Sequence, residues 1–257
     1  MRNLNILFAL LFCSLVLITS TSFSQEEKDQ LYLVREEVAK VDMWDQYEKT
    51  SKEWVEMMEK GGLDFPYVEA SQRDDGHYYY LIPINNYAEI DKFPSIFGSV
   101  IEKVGKEKWS SFMIANESSI ETHKDFIIKW SAEYSYIPQK PRITMKESKF
   151  IHWLFFHFKL EKRKELLEVL KEWKKLYEDK KINSGYSIWL VELGLDNNLM
   201  VLTEYAKDGA DFYTTMKENS ALVKTEEDAL WAKMAPLLMS VEQKFGNLRP
   251  DLSYTKK

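Results

Sequence analysis

Apolar and polar positions trace a repeating order of elements along the chain. Leu31 to Val38 alternates with the two-residue period of a strand. Asp42 is placed to cap a helix, and Trp44, Tyr47, Trp54, Val55 and Met58 follow at helical spacing until Gly61-Gly62 ends it. Tyr67 to Ser71 and His77 to Ile84 read as two strands around the turn Asp74-Asp75-Gly76. Pro94 opens a helical stretch with Phe97, Val100, Ile101, Val104, Phe112 and Met113, and an extended segment falls within 120–130. The order then returns. Phe150 to Phe158 is a strand, and Leu166, Leu167, Leu170, Trp173, Leu176 and Tyr177 form an apolar helical stripe. Tyr186 to Leu193 and Leu199 to Tyr205 make a hairpin around Asp196-Asn197-Asn198, and a helix is expected through Leu230, Met234, Leu237, Leu238 and Val241.

Landmarks recur in the same order. Lys52-Glu53-Trp54 returns as Lys171-Glu172-Trp173, Tyr67 as Tyr186, Tyr80-Leu81 as Val201-Leu202, Trp109 as Trp231, and Ser135-Tyr136 as Ser253-Tyr254. A self-similar order of this kind is the mark of tandem duplication. It predicts an α+β fold of two ferredoxin-like (βαββαβ) units, over 25–140 and 146–257, with Pro138 and Pro141 in the linker. The tail motifs Glu133-Tyr134-Ser135-Tyr136 and Asp251-Leu252-Ser253-Tyr254 are expected to act as structural clamps.

Composition narrows the class. The 257 residues are 45% hydrophobic and 30% charged, with net charge −6, which argues against nucleic acid or anionic membrane as a partner held by general electrostatics. Residues 25–145 hold 15 basic and 23 acidic residues, whereas 146–257 hold 19 and 18. That difference suits solvated helix faces and would also favour docking of the halves. Arg2, an apolar run from Ile6 to Ile18 and small residues up to Ser24 read as a cleaved export signal over 1–24, giving a periplasmic or extracellular protein with no membrane anchor after cleavage. Cleavage would remove Cys13, the single cysteine, so no disulfide framework or cysteine-based zinc site is expected. No phosphate loop, nucleophile elbow or His-Glu-x-x-His motif appears.

The doubled unit, with its aromatic strands and long first helices, resembles the dimeric α+β barrel superfamily. That superfamily includes the antibiotic-biosynthesis monooxygenase type, the Nipsnap type and the haem-binding chlorite dismutase type. The resemblance implies an intrachain α+β barrel over about residues 30–255, with a cavity inside the barrel or between sheet and helices. No catalytic signature of a member family stands at matching positions, so no catalytic residue is carried over.

In such a barrel the more apolar strand face is expected under the helices and the more polar face in the cavity. That reading places Tyr32, Val34 and Val38 outward, and Arg35, Glu37 and the equivalent His152 inward as a ligand-binding group. His157, beside Trp153 on the opposite face, is a second candidate. Haem would need an axial histidine, with His152 or His157 the nominee; a protein metal site is not expected, because His152 and His157 point apart on a strand. These readings leave three functions open. One is binding of a small apolar or aromatic molecule without chemistry. A second is a cofactor-independent monooxygenase or isomerase using His152 or His157 as base. The third is a protein-interaction module.

Overall fold

The computed structural model describes residues 28–257, so segment 1–24, expected to be an export signal, lies outside the described residues. Nine strands and five α-helices follow in chain order: β1 (Gln30–Ala39), α1 (Trp44–Gly61), β2 (Tyr67–Arg73), β3 (His77–Ile84), α2 (Phe93–Val104), α3 (Lys106–Ser119) and β4 (Ile120–Trp130) make the first half. β5 (Phe150–Phe158), α4 (Arg163–Lys180), β6 (Tyr186–Leu193), β7 (Leu199–Ala206), α5 (Gly209–Met234), β8 (Leu238–Leu248) and the short β9 (Tyr254–Thr255) make the second.

Both halves share one strand order, β2-β3-β1-β4 and β6-β7-β5-β8, and they join edge to edge through β4–β6 and β8–β2. Eight strands therefore close into a barrel, which leaves no exposed sheet edge. This is the α+β barrel of two ferredoxin-like units, built within one chain. At the β8–β2 seam Gly246 lies so close to its neighbour that a Cβ there would stand 1.9 Å from the Gln72 carbonyl oxygen. Only glycine permits that approach.

The Ser-Tyr motifs are clamps, and each reaches across to the other half. Ser135 Oγ accepts from the Ile188 N–H (2.8 Å), and Ser253 Oγ accepts from the Ala70 N–H (2.9 Å). Tyr136 donates its hydroxyl to the Ile182 carbonyl (2.6 Å), as Tyr254 does to that of Leu63 (2.7 Å). Tyr136 pairs with Tyr186, and Tyr254 with Val68.

These pairings correct the alignment of the halves at two landmarks. Tyr186 corresponds to Val68 rather than Tyr67. Arg35 faces Tyr80 where Leu154 faces Leu202, so Tyr80 corresponds to Leu202 rather than Val201. Each is a slip of one residue, and on a strand such a slip exchanges the faces.

Local chemistry explains the remaining boundaries. Gly62, in the left-handed region at φ 64°, closes α1. Asp42 makes no capping bond: it sits in a 3-10 turn, and Met43 occupies the cap position. Gly105 divides the expected second helix into α2 and α3. The last helix stops at Met234 instead of reaching Val241. Pro236 falls in a 3-10 turn there, and Leu238 already begins β8.

Candidate functional site

The barrel interior holds a partly open cavity of about 180 Å³. Its walls alternate along every strand, because successive side chains point to opposite faces. β1 contributes Val34 and Glu36, β3 Tyr79 and Leu81, β4 Phe126 and Ile128, and β5 Ile151, Trp153 and Phe155. Trp189 and Val191 from β6, Val201, Thr203 and Tyr205 from β7, and Leu195, Leu199 and Leu248 add to the lining. Along β2 the residues Glu69, Ser71 and Arg73 all face inward, so this strand carries most of the polar chemistry.

The face assignment expected for β1 is therefore reversed. Val34 and Glu36 line the interior, whereas Arg35 and Glu37 lie on the outer face. Arg35 is exposed and forms a paired salt bridge with Asp125 (2.8 and 2.7 Å). Glu37 is buried under α1 and accepts a hydrogen bond from Tyr47 (2.7 Å). Interior side chains here are as apolar as the layer beneath the helices, so polarity alone picks the wrong side. His152 is also on the outer face. Its ring is 4% exposed, its Nδ1 lies 3.0 Å from Glu204, and Phe212 and Phe245 pack at 4.8 and 4.9 Å from its centre. Trp153 is the one residue of the expected ligand set that lines the cavity. His157 is half-buried near the end of β5 and is absent from the cavity lining.

Haem does not fit these histidines. The cavity lining contains no histidine, and His152 has aromatic rings against it and a carboxylate on Nδ1. Among the described residues no cluster of three or more His, Cys, Asp or Glu side chains could hold a metal ion.

Of the three charged side chains in the lining, two have side-chain partners and one does not. Arg73 donates to Asp75 (Nε to Oδ1, 2.8 Å) and to the Tyr79 hydroxyl (2.9 Å), and its guanidinium lies 5.8 Å from the Phe155 ring centre. Glu36 lies 2.8 Å from His77 Nδ1. Burial would raise Glu36, but the His77 contact outweighs it and holds the carboxyl below its ordinary range. Glu69 makes no side-chain hydrogen bond or ion pair with any described residue, and burial alone pushes its pKa up. Burial likewise raises the Tyr32 and Tyr205 phenols, and the nearby Glu69 charge adds to it. Trp189 donates to Thr203 Oγ1 (2.9 Å), which leaves its ring as a fixed wall.

Glu69, Ser71 and Arg73 were legible in principle. Tyr67-Val68-Glu69-Ala70-Ser71-Gln72-Arg73 places Glu69, Ser71 and Arg73 on one face and Val68 and Ala70 on the other.

No protein-family model matches the chain, and no curated protein does. Solved structures do. A provisionally assigned monooxygenase from Lactobacillus acidophilus NCFM is similar over 90% of this chain and 97% of its own, with TM-score 0.53 and 9% identity. An anthrone oxidase-like protein is similar over 88% and 93%, with TM-score 0.58 and 9% identity. A provisionally assigned monooxygenase from Fusobacterium nucleatum reaches TM-score 0.52 at 15% identity, over 86% and 93%. At these identities the likeness concerns the fold.

Proposed function

We propose that this protein is exported and binds a small aromatic molecule inside its barrel. The observation that carries the reading is Glu69: an acidic group without a partner, facing an aromatic-walled space. Small-molecule sites have this composition, mostly apolar with few convergent polar groups. The volume suits a single ring, since an apolar cavity of about 150 Å³ admits benzene. A fused three-ring molecule would need the walls to move.

Titration calorimetry with benzyl alcohol tests the reading on the native chain and on Val201→Phe, which fills the cavity. Binding to the native chain and its loss in the filled variant are expected. Equal binding to both would place the ligand elsewhere and overturn the reading.

A second reading rests on the same carboxyl. A pKa raised by burial makes Glu69 a better base than a free glutamate, and a cofactor-independent monooxygenase needs a base to deprotonate its hydroxyaromatic substrate before dioxygen attacks. The monooxygenase descriptions of similar folds support this reading by analogy alone. His152 drops out as base because it does not reach the cavity. Oxygen uptake with hydroquinone that disappears in Glu69→Gln would favour it. No uptake above buffer would leave the binding reading.

A further inference from the structure

We propose that the cavity's ligand is a small primary aryl-alkyl ammonium ion, its charge paired with Glu69 and its ring held against the aromatic walls. The inference rests on the reading that the cavity is the binding site, and it adds the sign of the ligand.

Three observations carry it. First, Glu69 is the one charged side chain of the lining without a side-chain partner. Arg73 is the one cation in the lining, and it is already ion-paired with Asp75 and bonded to the Tyr79 hydroxyl. Glu36 has His77. Arg73 is also four residues along β2 from Glu69, which at roughly 3.3 Å per residue separates them by about 13 Å. Glu69 therefore has acceptor oxygens and no donor, and a carboxylate forms its strongest hydrogen bonds with cationic N–H groups.

Second, the surrounding rings suit a cation. Tyr79 and Trp153 pack with ring centres 6.0 Å apart, and both line the cavity, as does Trp189. The negative faces of such rings attract an ammonium group, most strongly where water is excluded.

Third, the alternatives fit worse. An anion would meet Glu69 with no free cation to offset it. A neutral alcohol could donate one hydrogen bond but would leave the half-buried charge in place. An ammonium ion brings three donors, and its charge lowers the cost of keeping Glu69 ionised.

The test compares benzylamine with the neutral isostere benzyl alcohol, by titration calorimetry on the full chain at pH 7.5. Glu69→Gln, which preserves shape, serves as the variant. Benzylamine is expected to bind about tenfold tighter than benzyl alcohol in the native chain. The preference should shrink to about threefold or less in Glu69→Gln, with benzyl alcohol affinity unchanged. Equal affinities in the native chain would overturn the ammonium assignment and leave the cavity reading standing. A preference that survives Glu69→Gln would also overturn it, by placing the amine away from Glu69. Binding of neither compound would overturn the cavity reading, and this inference with it.

Discussion

Both halves of the barrel cover their outer face with helices, yet they place polar groups in that layer at different levels. In the first half, Tyr47 donates to Glu37 and accepts from Tyr80 (2.9 Å), whose hydroxyl oxygen lies 3.2 Å from Ser51 Oγ. Beside them Tyr78 donates to Glu48 (2.8 Å), which Arg249 also binds. By strand register and helix position, Glu37, Tyr47, Tyr80 and Tyr78 correspond in the second half to Phe156, Leu166, Leu202 and Met200. The second half reverses the arrangement. Tyr186, Glu204 and His152 stand in one row across β6, β7 and β5, with Phe245 next on β8. The corresponding row of the first half is Val68, Ile82, Leu33 and Ile127, entirely apolar. One backbone framework thus accepts either chemistry at either level, provided the layer is filled. The networks differ in closure. The first satisfies its tyrosines and carboxylates, whereas the second leaves His152 Nε2 and the Tyr186 hydroxyl buried without a partner. A complete buried network is stabilising, and an incomplete one is costly.

The widest gap between the halves should appear at the Tyr47/Leu166 pair. Leu166 is 1% exposed in the second core. Leu166→Ala is expected to lower stability by about 2–5 kcal/mol at any pH, through lost burial and the cavity left behind. Tyr47→Phe removes no bulk but takes the donor from Glu37, for an expected loss of about 2 kcal/mol at pH 7. Its pH dependence separates the two effects. Burial raises Glu37 despite the Tyr47 hydrogen bond and the Arg35 charge, so the folded state holds this proton to higher pH than the unfolded state. Stability from this group is therefore greatest below the ordinary glutamate value and falls as pH rises through the raised one. Without the Tyr47 donor that fall is steeper. Urea midpoints at pH 4 and pH 7 should diverge for Tyr47→Phe and move in parallel with the native chain for Leu166→Ala. A parallel shift in Tyr47→Phe would show that the hydroxyl does not support the Glu37 charge.

Sequence patterns identified the element order because turn residues and periodicity agree locally: Asp74-Asp75-Gly76 and Gly61-Gly62 each end an element where only a few residue types can. They also identified the clamps, since a Ser-Tyr pair repeated at both tails has to meet the same backbone groups. The inner face of β1 was not legible. In a closed barrel under helices both strand faces are buried, so Tyr32-Val34-Glu36 inside and Leu33-Arg35-Glu37 outside differ little in polarity. What decides the face is the partner across the layer: Tyr47 is ten residues from Glu37 in sequence, and Asp125 is 90 from Arg35. Alternation along β2 places Glu69 on the polar face, but the lack of a partner that sets it apart appears only once the strands are assembled. The same limit allowed the one-residue slip that equated inward-leaning Tyr67, bonded to Tyr32 (3.0 Å), with Tyr186 in the second helix-covered core.

The smallest effect separates the networks most sharply. Tyr186 is 5% exposed, stacks edge-on against Tyr177 at 5.4 Å, and has no hydrogen-bond partner for its hydroxyl. Tyr186→Phe keeps the ring and removes a desolvated polar atom, so stability should hold or rise, by up to about 1 kcal/mol. The matched change in the closed network, Tyr80→Phe, breaks bonds to Tyr47 and Ser51 and should lower stability by about 1 kcal/mol. The two variants differ from the native chain by one oxygen each, in layers of the same fold. Opposite signs in their urea midpoints would establish that closure of the network, rather than tyrosine content, sets the contribution of each layer. A loss in Tyr186→Phe as large as in Tyr80→Phe would mean that its hydroxyl is satisfied in solution, and the contrast between the halves would then rest on His152 alone.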